Sequence, residues 1–151
     1  LRYFNVYGPN ENYKKKMASC VYHFDKQLKK NSKLRLFSGS GGFKDGEQKR
    51  DFIHIEDVIK INLWFMQKNI TGIFNVGTGK PNSFNTLAQH IIKWHMKGNI
   101  EYINFPKKLE NTYQHFTKAN LNNLRKAGYK NKFININKGI DLYLNNLNNL
   151  D

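Results

Sequence analysis

The sequence predicts an α/β fold in which parallel strands are joined by helices. Short apolar runs rich in β-branched and aromatic residues alternate along the chain with stretches whose apolar residues recur three or four positions apart. This alternation is typical of chains that cover a parallel sheet with helices. No internal repeat or linker-like segment divides the 151 residues, so we expect residues 1–151 to form one structural unit.

The strands are predicted from alternating or apolar runs that end at turn signals. The first, in LRYFNVYGPN, alternates and stops at Gly8-Pro9. DFIHI alternates directly before a helix, and GIFNVGTG is an apolar run that closes in a turn. The predicted strands are residues 1–8, 34–37, 51–55, 72–79 and 100–105.

The helices are predicted from apolar periodicity and capping residues. In MASCVYHFDKQLKK one face is apolar, and Lys29 and Lys30 stand at the end where the helix dipole favours cations. Asn82 or Ser83 can cap the third helix, and Thr117 can cap the fourth. The predicted helices are residues 17–30, 56–67, 83–97 and 117–127, with a last one that begins at Asn135 or Asn137 and ends near residue 147.

The formal charge of +14 raises the question of a polyanionic partner, because Lys and Arg that neutralise phosphates supply most non-specific nucleic-acid binding. The excess is nearly all Lys, with four Arg, and the chain is also crowded with Asn and Ile. Such a compositional bias produces the charge without any partner. We therefore expect no nucleic-acid partner, and a basic nucleic-acid-binding module remains the alternative from another class.

Cysteine content and hydropathy exclude several further classes. Cys20 is the one cysteine of the chain, which excludes an internal disulfide and a thiolate metal cluster, and no metal site is predicted. No apolar run approaches the ~20 residues that cross a bilayer, and the first residues lack the order of a signal peptide. We expect a cytoplasmic protein without a membrane partner.

Four polar segments follow predicted strands, where open α/β sheets bind their ligands. The Asn5 amide can bridge a ligand hydroxyl and the backbone, and one of Lys14–Lys16 could transfer a proton if a dry pocket held it. Arg50, in a glycine-rich loop, can grip two phosphate oxygens. Structural roles compete throughout: from spacing alone they are preferred for Asn5 and His23, and a flexible loop is an equal alternative at Arg50.

Taken in order, RYFNVYGP, a basic loop leading into MAS, a glycine-rich loop with RDFIHIEDV, and GIFNVGTG resemble the C-terminal half of extended short-chain dehydrogenase/reductases. These are NAD(P)-dependent nucleotide-sugar epimerases and dehydratases. The stretch NTYQHFTKANL narrows the resemblance to an enzyme of ADP-sugars, with another epimerase or dehydratase of the family as the alternative.

The resemblance implies the C-terminal half of a Rossmann-type doubly wound parallel sheet plus the smaller substrate-binding α/β subdomain. The glycine-rich cofactor loop and the catalytic Tyr-x-x-x-Lys pair of the family are expected upstream of Leu1 and not within this chain. NADP would therefore be bound mainly by another half, and the 151 residues alone would be inactive. The resemblance also implies a homo-oligomer, with a pentamer as one form.

The resemblance assigns roles residue by residue. Lys14 would be an acid/base and, with Val6, would lie beside the cofactor. Lys15 and Lys16 stand next to it, so which lysine is placed for proton transfer stays open. The residues expected to contact the ADP-sugar are Asn5, Lys16, His23, Phe37, Ser38, Gly39, Ser40, Arg50, as the diphosphate clamp, and Tyr113, which would close the site.

Overall fold

The computed structural model describes residues 1–149 and confirms the mixed α/β class. Residues 150 and 151 of the predicted unit lie outside the described residues. The strands are β1 (Arg2–Tyr3), β2 (Asn5–Tyr7), β3 (Lys33–Phe37), β4 (Lys49–Arg50), β5 (Phe52–His54), β6 (Asn75–Val76), β7 (Asn82–Ser83) and β8 (Asn99–Ile103). The helices are α1 (Cys20–Asn31), α2 (Ile55–Met66), α3 (Phe84–His95), α4 (Asn122–Lys126) and α5 (Ile136–Asn149), with short 3₁₀ segments at Asn12–Met17 and Lys107–Leu109.

The strands pair two by two. β1 pairs with β6, β2 with β5 and β3 with β8, all parallel, whereas β4 and β7 are antiparallel. The predicted first strand is broken at Phe4 because the chain changes partner there. The Phe4 N–H donates to the Val76 carbonyl on one side, at 2.9 Å, and the Asn5 N–H donates to the Asp51 carbonyl, at 3.1 Å, on the other.

Two apolar clusters hold the elements together. The larger one joins α1, α3 and α5 to β3, and the smaller one lies between α2, β5 and β6. Each fully buried aliphatic side chain contributes about 1.5–3 kcal/mol of transfer free energy. No helix of residues 1–149 is long and apolar enough to span a membrane. Fully buried members include Val21, Leu28, Leu34, Leu87, Ile91, Ile140 and Leu144 in the first cluster and Ile53, Ile61, Val76 and Leu124 in the second.

The start of α1 differs from the prediction. Met17, expected on the apolar face, lies before the helix and is 85% exposed. The helix begins at Cys20 because Ser19 caps it, its hydroxyl accepting the Tyr22 N–H at 3.4 Å. The residues before the cap form the 3₁₀ segment, where Lys15 adopts φ 49° and ψ −121°.

The cap predicted at Thr117 is wrong, whereas the caps at Ser83 and Asn135 are confirmed. Helix α4 begins at Asn122, and the Thr117 hydroxyl instead accepts the Asp51 N–H at 3.1 Å. Ser83 accepts the N–H three residues on at 3.2 Å, and Asn135 accepts the N–H of residue 138 at 2.9 Å. The Thr117 hydroxyl does not cap a helix because it is engaged in this hydrogen bond to residue 51, which is distant in the sequence.

Candidate active site

A cavity of about 330 Å³ opens where β2 meets the 3₁₀ segment and the start of α1. Asn5 and Val6 line it from the strand, and Lys14 lines it from the 3₁₀ segment. Among residues 1–149, neither Lys15 nor Lys16 belongs to its wall, and both are exposed. The structure thus brings Asn5, Val6 and Lys14 together and singles out Lys14 among the three lysines.

A second cavity, of about 280 Å³, continues from the first. His23 lines it from α1, Phe37 from the end of β3 and Tyr113 from the loop after β8. Cys20 and Phe84 line both cavities, so the two volumes adjoin at these side chains. We call this pair of cavities the cleft; Lys14 lines the first cavity and Tyr113 the second, so predicted residues up to 108 positions apart lie in two cavities that share part of their walls.

Arg50 lies against this cleft and is 7% exposed. Its guanidinium carbon is 4.8 Å from the centroid of the Tyr113 ring and 5.8 Å from that of Phe84, which holds the group by cation–π contact. Burial lowers the pKa of the guanidinium, and the neighbouring Tyr113 phenol offsets part of the shift. No carboxylate of the described residues forms an ion pair with Arg50, whose Nη1 donates to the Lys49 carbonyl at 3.0 Å.

A buried guanidinium without a carboxylate partner is costly, since the charge gives up hydration without receiving a counter-charge. An anion in the cleft would supply that charge, and the planar fork of Arg50 matches two phosphate oxygens. The arrangement therefore favours a phosphate-bearing ligand at the Tyr113 end of the cleft.

The glycine-rich loop is ordered by its own hydrogen bonds. Of residues 37–40, Phe37 lines the second cavity, whereas 38–40 line neither cavity. The backbone N–H groups of residues 38–40, which small side chains would let an anion approach, are engaged within the protein. Ser38 donates to the Ile103 carbonyl at 2.8 Å, Gly39 to the Asp45 carboxylate at 2.6 Å and Ser40 to the Phe43 carbonyl at 3.1 Å. The Arg50 guanidinium, rather than the backbone amides of residues 38–40, is thus the group that can donate hydrogen bonds to an anion here.

Aromatic rings hold Tyr113 in place. The Tyr113 ring lies 6.2 Å from Phe37 and 5.1 Å from Phe105, both edge to face. His115 stacks on Phe105 at 5.8 Å, and its Nε2 lies 2.8 Å from the Ser40 hydroxyl. Such packing restricts the ring to one position. Tyr113 can therefore present a fixed face to Arg50 and to a ligand.

Asp51 explains why RDFIHI and FNVGTG occur together. Its buried carboxylate accepts the Thr78 N–H at 2.8 Å and the Thr78 hydroxyl at 2.6 Å through Oδ1. Oδ2 accepts the N–H groups of Gly79 and Ala119, each at 2.8 Å. Four charge-assisted bonds on one carboxylate fix the loop after β6 and the segment before α4 against β5.

Tyr22 and Lys26 have the Tyr-x-x-x-Lys spacing, so the expectation that the chain holds no such pair is wrong. This pair does not lie in the cleft. The Lys26 ammonium lies 5.6 Å from the centroid of the Tyr22 ring. Both residues line a separate depression beside Asn146, and neither lines the cavities that hold Lys14 and Tyr113.

Several residues that line the cleft are absent from the predicted site, and three of them stand out. Phe84 and Cys20 form the boundary between the two cavities, and Glu11 lines the first one. Helical periodicity assigns an aromatic or a cysteine on an apolar face to the core, and a lone carboxylate in a polar loop to solvent. Burial raises the pKa of the Cys20 thiol to about 12, in keeping with the inert thiol that its position predicts.

Comparison with known proteins identifies the family of the chain. Residues 1–77 match the model of the NAD dependent epimerase/dehydratase family. An ADP-L-glycero-D-manno-heptose-6-epimerase of Alkalilimnicola ehrlichii is 47% identical over 145 residues, which cover 95% of this chain and 45% of that protein. The chain thus spans less than half the length of this curated relative.

Solved structures are similar over nearly the whole chain. The ADP-L-glycero-D-manno-heptose-6-epimerase of Helicobacter pylori matches with a TM-score of 0.83 at 31% identity, covering 97% of this chain and 42% of that one. UDP-glucose 4-epimerase of Thermotoga maritima, solved with UDP-glucose, matches with a TM-score of 0.82 at 23% identity, covering 99% and 45%. The second likeness concerns the fold alone. With more than half of its residues matched by the family model, the chain belongs to the NAD dependent epimerase/dehydratase family.

Proposed function

We propose that the chain is the C-terminal part of an enzyme that converts ADP-D-glycero-D-manno-heptose to ADP-L-glycero-D-manno-heptose by epimerisation at C6. The observation that carries the proposal is the pair of cavities, with Lys14 in the wall of the first and Tyr113 in the wall of the second, where the buried, carboxylate-free Arg50 packs on the Tyr113 ring without lining either cavity itself. Its combined volume lies in the range of small-molecule sites. The 47% identical relative of that name supports the choice of substrate.

The proposed cofactor is NADP, bound mainly by the part of the enzyme that precedes this chain. The residues at the Lys14 end fit such a group, because Val6 offers an apolar contact and Lys14 and Asn5 offer hydrogen-bond donors within one wall. When bound, NADP would supply the hydride-transfer chemistry that inversion at C6 requires.

Lys14 would hold or move the proton at the sugar O6. Asn5 would hydrogen-bond the sugar hydroxyls from the same wall, and His23 would contact the substrate in the second cavity. Arg50 would clamp the diphosphate, with Tyr113 closing over it. The presence of Asn5, Val6 and Lys14 in one cavity wall, and of His23 and Tyr113 in the other, supports these roles.

The remaining proposed contacts are neighbours in sequence of residues that line the cleft. Lys16 adjoins Met17, and residues 38–40 adjoin Phe37, and both neighbours are wall residues. We propose that Lys16 and residues 38–40 reach the substrate from these positions.

We propose that the whole enzyme is a cytoplasmic homo-oligomer of a Gram-negative bacterium. Its product would be used to build the inner core of lipopolysaccharide.

The test uses the full-length protein with ADP-, UDP- and dTDP-sugars, following the C6 epimer by NMR. We expect turnover of ADP-heptose alone. Lys14→Ala should lower kcat at least 100-fold while the Kd for ADP changes less than two-fold, since Lys14 lies at the sugar end. Lys15→Ala, a change at an exposed neighbour, is the matched control and should keep full activity.

Two results would contradict the proposal. Turnover of a UDP- or dTDP-sugar in place of ADP-heptose would point to another reaction of the family. Equal losses of kcat and ADP affinity in Lys14→Ala would show that the residue is a phosphate contact and not an acid/base.

A further inference from the structure

Glu11 is a buried carboxylate at the Lys14 end of the cleft. It is 3% exposed, although it lies in the polar loop that follows the Gly8-Pro9 turn. It lines the same cavity as Asn5 and Lys14. A carboxylate is rarely this buried without specific partners, and the partners of Glu11 connect three separate elements.

Each carboxylate oxygen of Glu11 has two partners. Oε1 accepts the Ser19 N–H at 3.1 Å and lies 3.5 Å from the Lys14 Nζ. Oε2 accepts the Ser19 hydroxyl at 2.5 Å and the Tyr143 hydroxyl at 3.0 Å. The carboxylate is therefore fixed by the cap of α1 and by α5, and the same fixed group forms an ion pair with the Lys14 ammonium.

Resting on the proposed role of Lys14, we propose that Glu11 is a positioning residue that holds the Lys14 ammonium in the cleft. The Lys14 side chain is 36% exposed and its flexible stem has many solvent-directed rotamers. The ion pair with Glu11 restricts the rotamers of the Lys14 side chain, because Ser19 and Tyr143 hold the Glu11 carboxylate in place. Misplacing a reacting group by about 1 Å can lower a rate about 100-fold.

Through Ser19, Glu11 is also connected to α1. Ser19 caps this helix through its hydroxyl, and Cys20 and His23 in its first turn line the second cavity. Glu11 thus sets the distance between the Lys14 end of the cleft and the helix that lines the rest of it. A purely structural pin between α1 and α5 would need the Ser19 and Tyr143 bonds but not the bond to Lys14.

The experiment compares Glu11→Gln with Tyr143→Phe in the full-length enzyme. The first variant removes the charge that faces Lys14, and a Gln oxygen can still accept from Ser19. The second removes one bond to Oε2 and leaves the Lys14 pair intact. We expect Glu11→Gln to lower kcat at least 10-fold with KM within two-fold, and Tyr143→Phe to keep kcat while lowering the melting temperature. Glu11→Asp, which retains the charge, should restore part of the loss.

A double-mutant comparison by single-turnover kinetics tests whether Glu11 acts through Lys14. In the Lys14→Ala background, Glu11→Gln should cause no further loss. Losses that multiply, or equal loss of kcat in Glu11→Gln and Tyr143→Phe, would overturn the inference. If Lys14→Ala itself retains the wild-type rate, the proposed function of Lys14 fails; if it is impaired and Glu11→Gln is not, the positioning role alone fails.

Discussion

Replacing Arg50 by Ala tests the diphosphate clamp. Arg50 is buried beside the cleft, stacks on Tyr113, and has no carboxylate partner within residues 1–149. Its removal takes away the charged fork proposed to bind two phosphate oxygens. It leaves no partner carboxylate unpaired, so the effect should fall on ligand binding more than on folding.

The expected magnitude follows from the hydrogen bonds that the fork can form. A hydrogen bond to a charged group contributes about 1.5–3 kcal/mol. We take the lower value for each of the two bonds, because the diphosphate gives up hydration when it binds. Removing both bonds should therefore cost about 3 kcal/mol of binding free energy. Each 1.4 kcal/mol is about ten-fold in affinity, so the Kd for ADP should rise about 100-fold. Arg50→Lys keeps the charge but loses the fork, and a rise of about 10-fold is expected.

Calorimetry of ADP binding to the full-length protein measures this directly. Thermal melting gives an independent check, because a ligand at about 1,000 Kd stabilises the fold by about 4 kcal/mol and one at about 10 Kd by about 1.4 kcal/mol. ADP at one concentration should thus lose most of its stabilising effect in Arg50→Ala. A Kd within two-fold of the wild type, with an unchanged melting temperature in the absence of ADP, would refute the clamp.

Three further predictions concern stability and reactivity. Asp51→Asn should destabilise the protein by about 2–5 kcal/mol in urea unfolding, because two of the four donors on the carboxylate lose their acceptor; a loss under 1 kcal/mol would contradict this. Lys15→Gly should stabilise by about 1 kcal/mol, since φ 49° and ψ −121° strain a residue with a Cβ; a lower urea midpoint would argue against strain there. Burial raises the pKa of the Cys20 thiol to about 12, so little thiolate exists at pH 8. Iodoacetamide should therefore react with Cys20 far more slowly than with free cysteine, and the rate should increase as the pH rises. Rapid reaction at pH 8 would refute the raised pKa.

Much of the fold could be predicted because it depends on local patterns. The strands at residues 33–37 and 52–54 and the helix caps at Ser83 and Asn135 stand where alternation and capping chemistry place them. Of the residues indicated by the order of the motifs, six line the two cavities: Asn5, Val6, Lys14, His23, Phe37 and Tyr113. Local patterns do not predict the role of Thr117, since its hydroxyl accepts the Asp51 N–H across the fold and does not cap the helix nearby.

The sequence by itself determined the α/β class and the order of the five helices, because periodicity and capping are local properties. The tertiary structure alone decided that Lys14, and not Lys15 or Lys16, lines the cleft, that Phe84 stands under Arg50, and that Glu11 meets Tyr143. Glu11 and Tyr143 are 132 positions apart. No spacing rule encodes such a contact, since only the tertiary fold brings the loop that holds Glu11 against α5.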